Sequence, residues 1–209
     1  VFQIILLVKF LKIMDYLKSA KKVLQNEIKA LQALDHSLSD KFNAAAEVIS
    51  NTEGKVIFLG LGKSGHVAKK CAATFSSLGI PSFFVHANEA FHGDFGMMSK
   101  NDSIVAFSFS GKTEDVVNGV KYCNQNNILT IGISGDSNSL LAKKSHIHLD
   151  ICVNNEADHL NLAPTSSTTN MMALCDALAS SISEKNGFSR SDFHTFHPDG
   201  SLGNQLKDE

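Results

Sequence analysis

Lys55-Val56-Ile57-Phe58-Leu59-Gly60-Leu61-Gly62-Lys63-Ser64-Gly65-His66 is the stretch on which the reading of this chain turns. An apolar run of this length predicts a short buried strand, and the glycines after it predict a tight turn into a helix that continues to Leu78. Glycine lets the backbone turn sharply and come close to a ligand, and the free N–H groups of a helix start attract an anion. The loop is not a Walker A sequence, because the four-residue gap between the first glycine and Gly-Lys-Ser is missing. Gly60, Gly62 and Gly65 do satisfy G-x-G-x-x-G, but the acidic ribose ligand expected roughly 20 residues on would fall at Phe83–Val85, which is apolar. The stretch therefore reads as a sugar-phosphate site rather than a nucleotide site.

Working outward, the same alternation of apolar run and helix repeats. Strands are expected at Val56–Leu59, Ser82–Val85, Ile104–Phe107, Ile128–Ile133 and His148–Val153. Helices are expected from Thr113 to about Asn126, around Ser139–Lys144, and from Ser166 to about Lys185. Continuous apolar strands separated by helices mean an α/β fold, a five-stranded parallel sheet covered on both faces. Ahead of it, Leu17, Val23, Leu24, Ile28, Leu31 and Leu34 mark one amphipathic helix over 14–34, broken at Asp35-His36-Ser37. A second runs to about Ser50, capped by Ser39 or Asp40. The expected organisation is a helical pair over 14–50, an α/β core over 55–186 and a tail over 187–209. Residues 1–13 form an apolar extension too short to span a bilayer, which needs about 20 residues.

Composition narrows the class. With 19 Lys+Arg against 21 Asp+Glu no basic face is implied, so nucleic acid is not an expected partner, and neither is a membrane. Cys71, Cys123, Cys152 and Cys175 are scattered singly, which suits free thiols in a reducing cytoplasm. His66, His146, His148 and His194 read as structural or exposed, and Phe83, Phe84, Phe91 and Phe95 as core.

Ligands of parallel sheets bind beyond the carboxyl ends of the strands. After the third strand stand Ser108-Phe109-Ser110-Gly111-Lys112-Thr113, three hydroxyls and a glycine at a helix start, which suit phosphate oxygens. A plain N-cap at Thr113 is the simpler alternative, but one cap does not require Ser108 and Ser110.

These two loops, together with His92-Gly93-Asp94, Leu162-Ala163-Pro164-Thr165-Ser166-Ser167-Thr168-Thr169 and His197-Pro198-x-Gly200-x-Leu202-Gly203, resemble the sugar isomerase (SIS) domain family. Within it, the likeness is to the arabinose 5-phosphate isomerases and runs from about Met14 to Leu206. The resemblance implies a flavodoxin-like SIS fold and a homo-oligomer, with a tetramer favoured. It further implies a cytoplasmic aldose–ketose isomerase acting on D-ribulose and D-arabinose 5-phosphates and supplying Kdo for lipopolysaccharide or capsule. By the same likeness Lys63, Asp115, Glu156 and His197 are catalytic, with Asp115 standing where the family usually has glutamate. Ser64, Gly79, Ile80, His92, Ser108, Ser110 and Thr113 are substrate contacts. His86 matches a position that can hold an inhibitory zinc, no cofactor being required. Many relatives carry two CBS modules after this domain, so the chain looks like the isomerase-only form. The chemistry asks independently for such groups: an enediol route needs a carboxylate or imidazole base and a cation for the developing oxyanion. Another SIS isomerase, or a sugar-phosphate sensor without turnover, is the alternative.

Overall fold

The computed structural model describes residues 15–198, so the apolar extension 1–13 and the tail positions Asp199, Gly200, Leu202 and Gly203 lie outside the described residues. In chain order the elements are α1 (Tyr16–Ser37), α2 (Asp40–Ser50), β1 (Val56–Gly60), α3 (Gly62–Ser77), β2 (Ser82–His86) and α4 (Ala87–Ala90). A 3₁₀ turn (Asp94–Met97) leads to β3 (Ser103–Phe107), α5 (Glu114–Gln125), β4 (Leu129–Ser134), α6 (Leu140–Lys144) and β5 (Ile147–Asp150). The long α7 (Ser166–Lys185) and the short α8 (Arg190–Phe196) follow.

The strands form one parallel sheet in the order β2-β1-β3-β4-β5. That is the flavodoxin-like order, and its topological switch point falls between β1 and β3. Side chains of successive strand residues point to opposite faces, which is why the strands need apolar residues throughout. Phe58, Val105, Phe107, Ile131 and Ile133 pack under α3 and α7 with Phe75, Met171, Leu174 and Leu178. Ile57, Leu59, Ile104 and Ala106 face the other way, against Val116, Val120 and Leu141 of α5 and α6. Both faces are covered, as the uninterrupted apolar runs require.

Three expectations need correction. First, α1 does not break at Asp35 but continues through Ser37, whose hydroxyl bonds back to the Leu34 carbonyl at 2.7 Å. Second, β5 stops at Asp150 rather than Val153, because the Asp150 carboxylate accepts the Cys152 N–H at 2.8 Å and Cys152 turns to φ 53°. That side-chain turn competes with the ladder. Third, Phe91 is not core: it is 48 % exposed at the end of α4, resting edge-on against Phe95. The stripe on α1 also divides. Leu34 is buried and Ala30 packs beside it, while Leu17 is 66 % and Leu24 58 % exposed.

Candidate active site

Three helix starts meet the carboxyl edge of the sheet. The first is α3, which opens at Gly62 with φ 60°, directly after β1. Gly60 and Gly65 explain the rest of the glycine pattern, since a Cβ on Gly60 would stand 3.0 Å from the Gly65 Cα. The helix start is thereby pressed against the strand end. Its N-cap residue, Leu61, has no side chain able to cap, so the first-turn N–H groups of α3 are open to an anion. Lys63 is exposed there and Ser64 half-buried.

The second start is α5, across the switch point. Thr113 occupies the N-cap position but does not cap: its hydroxyl pairs with the buried Ser108 hydroxyl at 2.8 Å. This sets aside the plain-cap alternative and leaves the α5 start free. Ser110 is exposed and accepts the Lys112 N–H at 3.2 Å. Gly111 sits at φ 60°, where a Cβ would collide with Ser139, and its carbonyl accepts the Leu141 N–H at 2.9 Å. The hydroxyl loop is thus anchored to α6. Asp115 lies in the first turn of α5, half-buried, with Glu114 ahead of it.

The third start, α7, is already filled. Glu156, 7 % exposed, turns its carboxylate onto it. Oε2 accepts the Thr165 N–H at 2.8 Å and the Ser167 N–H at 3.1 Å, and the Ser167 hydroxyl donates to Oε1. In turn the Glu156 N–H donates to Asn161 Oδ1 at 2.6 Å, and the Ala157 N–H to Thr165 Oγ1 at 2.7 Å. A cavity of about 410 Å³ lies alongside, lined by Asn26 and Lys29 of α1 and by Cys152, Asn155, Glu156 and Asn161. Thr165 and Ser167 lie in the quoted Pro164-Thr165-Ser166-Ser167 run, which is longer than a helix cap needs, but the motif reading assigns them no role; Asn161 has no comparable signal in the sequence.

Helix register brings Lys63 to the same level as this carboxylate. α3 and α7 both start at the carboxyl edge and pack side by side, tied by Lys70–Asp176 at 2.6 Å. Stepping seven residues back on each helix, about 10 Å, pairs Lys63 with Thr169, close to the first turn that Glu156 caps.

β2 carries His86 at its carboxyl end, in register with Gly60, and exposed His92 follows α4, its ring nitrogen on the Asn88 carbonyl at 3.0 Å. The buried His86 Nδ1 has no partner. Among the described residues no three His, Cys, Asp or Glu side chains converge on it within one chain. His146 and His148 are structural, as expected. His146 bonds Thr130 at 2.9 Å, and His148 bonds Ser134 at 2.7 Å, with burial lowering the pKa of His148 against the pull of Asp150.

Gly79, Ile80 and His197 are not brought into this group within one protomer. Gly79 ends α3 at φ 82° and precedes β2, so it lies at the amino edge of the sheet, about 24 Å along α3 from Lys63. Ile80 is a buried core side chain. The Phe188 ring lies against Gly79, where a Cβ would approach it to 2.5 Å, and Phe188 stacks on Phe196 at 5.9 Å. His197 follows Phe196, stacked on Phe193 at 4.0 Å, with its Nδ1 on the Phe193 carbonyl at 2.9 Å. The tail therefore holds His197 near the amino edge of its own protomer.

Known proteins are similar to this chain in sequence and fold. The SIS domain model matches residues 49–181. Arabinose 5-phosphate isomerase KdsD of Pseudomonas aeruginosa is 44% identical over 193 residues, covering 92% of this chain and 59% of that protein. The protein of the same name from Escherichia coli O157:H7 is 41% identical over 192 residues, covering 92% and 58%. The chain thus spans less than two thirds of the length of these curated relatives. The solved structure of E. coli CFT073 c3406 in complex with arabinose 5-phosphate matches with a TM-score of 0.85 at 38% identity, covering 88% of this chain and 98% of that one.

Proposed function

The chain belongs to the SIS domain family, and on that premise we propose that it interconverts D-ribulose 5-phosphate and D-arabinose 5-phosphate through an enediol. The observation that carries this reading is the buried Glu156 carboxylate at the start of α7, with Lys63 level with it on the neighbouring α3. Starting from the aldose, Glu156 takes the C2 proton while the oxygen on C1 gains one. Return of a proton to C1 and loss of the O2 proton then give the ketose. Lys63 stabilises the oxyanion that develops on the way. The starts of α3 and α5, with Ser64, Ser108, Ser110 and Thr113, receive the phosphate. His92 and His197 serve ring opening and proton transfer, and Asp115 supports the site from α5. The reaction as written requires no cofactor.

The chain acts as a homo-oligomer, a tetramer in the favoured form, in the cytoplasm, and its product feeds Kdo for lipopolysaccharide or capsule. Assembly is supported by the exposed Leu17 and Leu24 on α1 and by the separation of His197 from Lys63 in one protomer. Among the described residues no helix is long and apolar enough to cross a membrane.

Turnover of ribulose 5-phosphate against a panel of pentose and hexose phosphates tests the reading. Selective interconversion with arabinose 5-phosphate supports it, and preference for a hexulose phosphate, or binding without turnover, defeats it. The phosphate loop has its own test. Ser110 is exposed and holds only one backbone N–H, so Ser110→Ala should leave folding intact. The apparent KM should rise by the equivalent of about 1–3 kcal/mol of lost charge-assisted bonding. An unchanged KM in a folded variant would remove this loop from the site.

A further inference from the structure

The structure assigns to Ser167, assisted by Thr165, the task of holding Glu156 so that one oxygen, Oε1, is left to take the proton. This deepens the isomerase reading and rests on it. An ionised carboxylate offers about four acceptor sites, two on each oxygen. Both sites of Oε2 are taken by backbone donors, the Thr165 N–H at 2.8 Å and the Ser167 N–H at 3.1 Å. Those donors belong to the N-cap residue and the first turn of α7, so they are held in place by the helix start. Oε1 has one described donor, the Ser167 hydroxyl, so one lone pair on Oε1 remains.

The Thr165 hydroxyl carries a single proton, which lies between two acceptors, Glu156 Oε2 and the Ala163 carbonyl, each 3.2 Å from Oγ1. Its firm bond is the one it accepts, from the Ala157 N–H at 2.7 Å. It therefore ties the backbone next to Glu156 to the helix start. Asn161 does the same from the other side, accepting the Glu156 N–H at 2.6 Å. Backbone and carboxylate are fixed at both ends: the two backbone donors hold Oε2, and the Ser167 hydroxyl is the one described donor that holds Oε1. Ser167 is buried, and Glu156 is among the residues that line the 410 Å³ cavity. General-base catalysis needs the acceptor within hydrogen-bond reach of the proton, and errors of about 1 Å cost rate steeply.

Ser167 is thus a positioning residue, and the test separates positioning from simple packing. In Ser167→Ala, kcat and the exchange of the C2 proton of arabinose 5-phosphate with solvent deuterium should fall together, by on the order of 10- to 100-fold. KM for arabinose 5-phosphate should stay unchanged, and Ser167→Thr, which keeps the hydroxyl, should recover most of the turnover. If the buried site does not tolerate these changes, as thermal melting will show, half-buried Thr165 takes over. Thr165→Val should lower kcat and exchange at constant KM, and Thr165→Ser should restore them. Parent kcat and exchange in folded Ser167→Ala, or in Thr165→Val, overturn the inference while leaving the isomerase reading standing. A parent chain that neither turns over nor exchanges arabinose 5-phosphate sinks both.

Discussion

Glu156→Gln is expected to leave the chain folded and able to bind the sugar phosphate while kcat falls by about 10²–10⁴, the scale for removing a general base. The surroundings of the carboxylate explain why glutamine is the right replacement. Its carbonyl oxygen can take the place of Oε2 and keep both backbone donors of α7, the Thr165 and Ser167 N–H groups. Its NH₂ then stands in the place of Oε1 and donates to Ser167, whose hydroxyl can turn from donor to acceptor. The helix start stays satisfied, and only the lone pair able to accept a proton is lost. Glu156→Ala is a poorer probe. It leaves buried donors without a partner, at a cost of about 1–3 kcal/mol, so loss of activity would be confounded with loss of stability. Asp115→Asn should cost less than Glu156→Gln, because Asp115 sits in the first turn of α5, beside the loop proposed to receive the phosphate. Deuterium exchange at C2 gives the decisive reading. If Glu156→Gln exchanges that proton at the parent rate, the carboxylate is only a helix cap, and the base must be His92 or His197.

Much of the fold is legible in the sequence because of one physical condition. Strands buried on both faces must be apolar at every position, so Val56–Gly60 and Ser103–Phe107 stand out as continuous runs bounded by turns. Where a side chain competes with the backbone, the same reasoning fails. Asp150 ends β5 three residues early through its bond to Cys152, and Ser37 extends α1 past the expected break. The helix α8 is absent from the expected elements although its signal is present, for Ser189 and Asp192 form a capping box.

The site is less evenly legible. Motif order shows which residue types are present but not which edge of the sheet they occupy. For Gly79-Ile80 the answer was within reach, since residues that immediately precede a strand in a parallel sheet lie at its amino edge. For Glu156 it was not: the helix expected from Ser166 gives no sign that a glutamate ten residues earlier turns its carboxylate onto the helix start. The position of His197 depends on Phe188 meeting Gly79, a contact across 109 residues that no local pattern encodes.

Equal amounts of Lys63→Ala and His197→Ala chains, each expected to be inactive alone, should recover part of the parent activity when dissociated and mixed. The expectation follows from distance. Lys63 opens α3 and Gly79 closes it, and His197 is held at the Gly79 end through Phe188 and Phe196. A single protomer cannot bring His197 to the carboxyl edge without peeling that aromatic stack away. A second copy can supply it with no change of shape, as oligomeric interfaces often do when one surface of a protomer meets a different surface of the next. If each site takes Lys63 from one copy and His197 from another, random mixing leaves both residues intact in roughly one site in four. If both come from the same copy, every mixed site carries one defect and no activity returns. Exposed Leu17 and Leu24 on α1 offer apolar surface for such an assembly. Light scattering supplies the second check. A strictly monomeric chain with full turnover would mean that the tail swings to its own carboxyl edge, and mixing would then restore nothing.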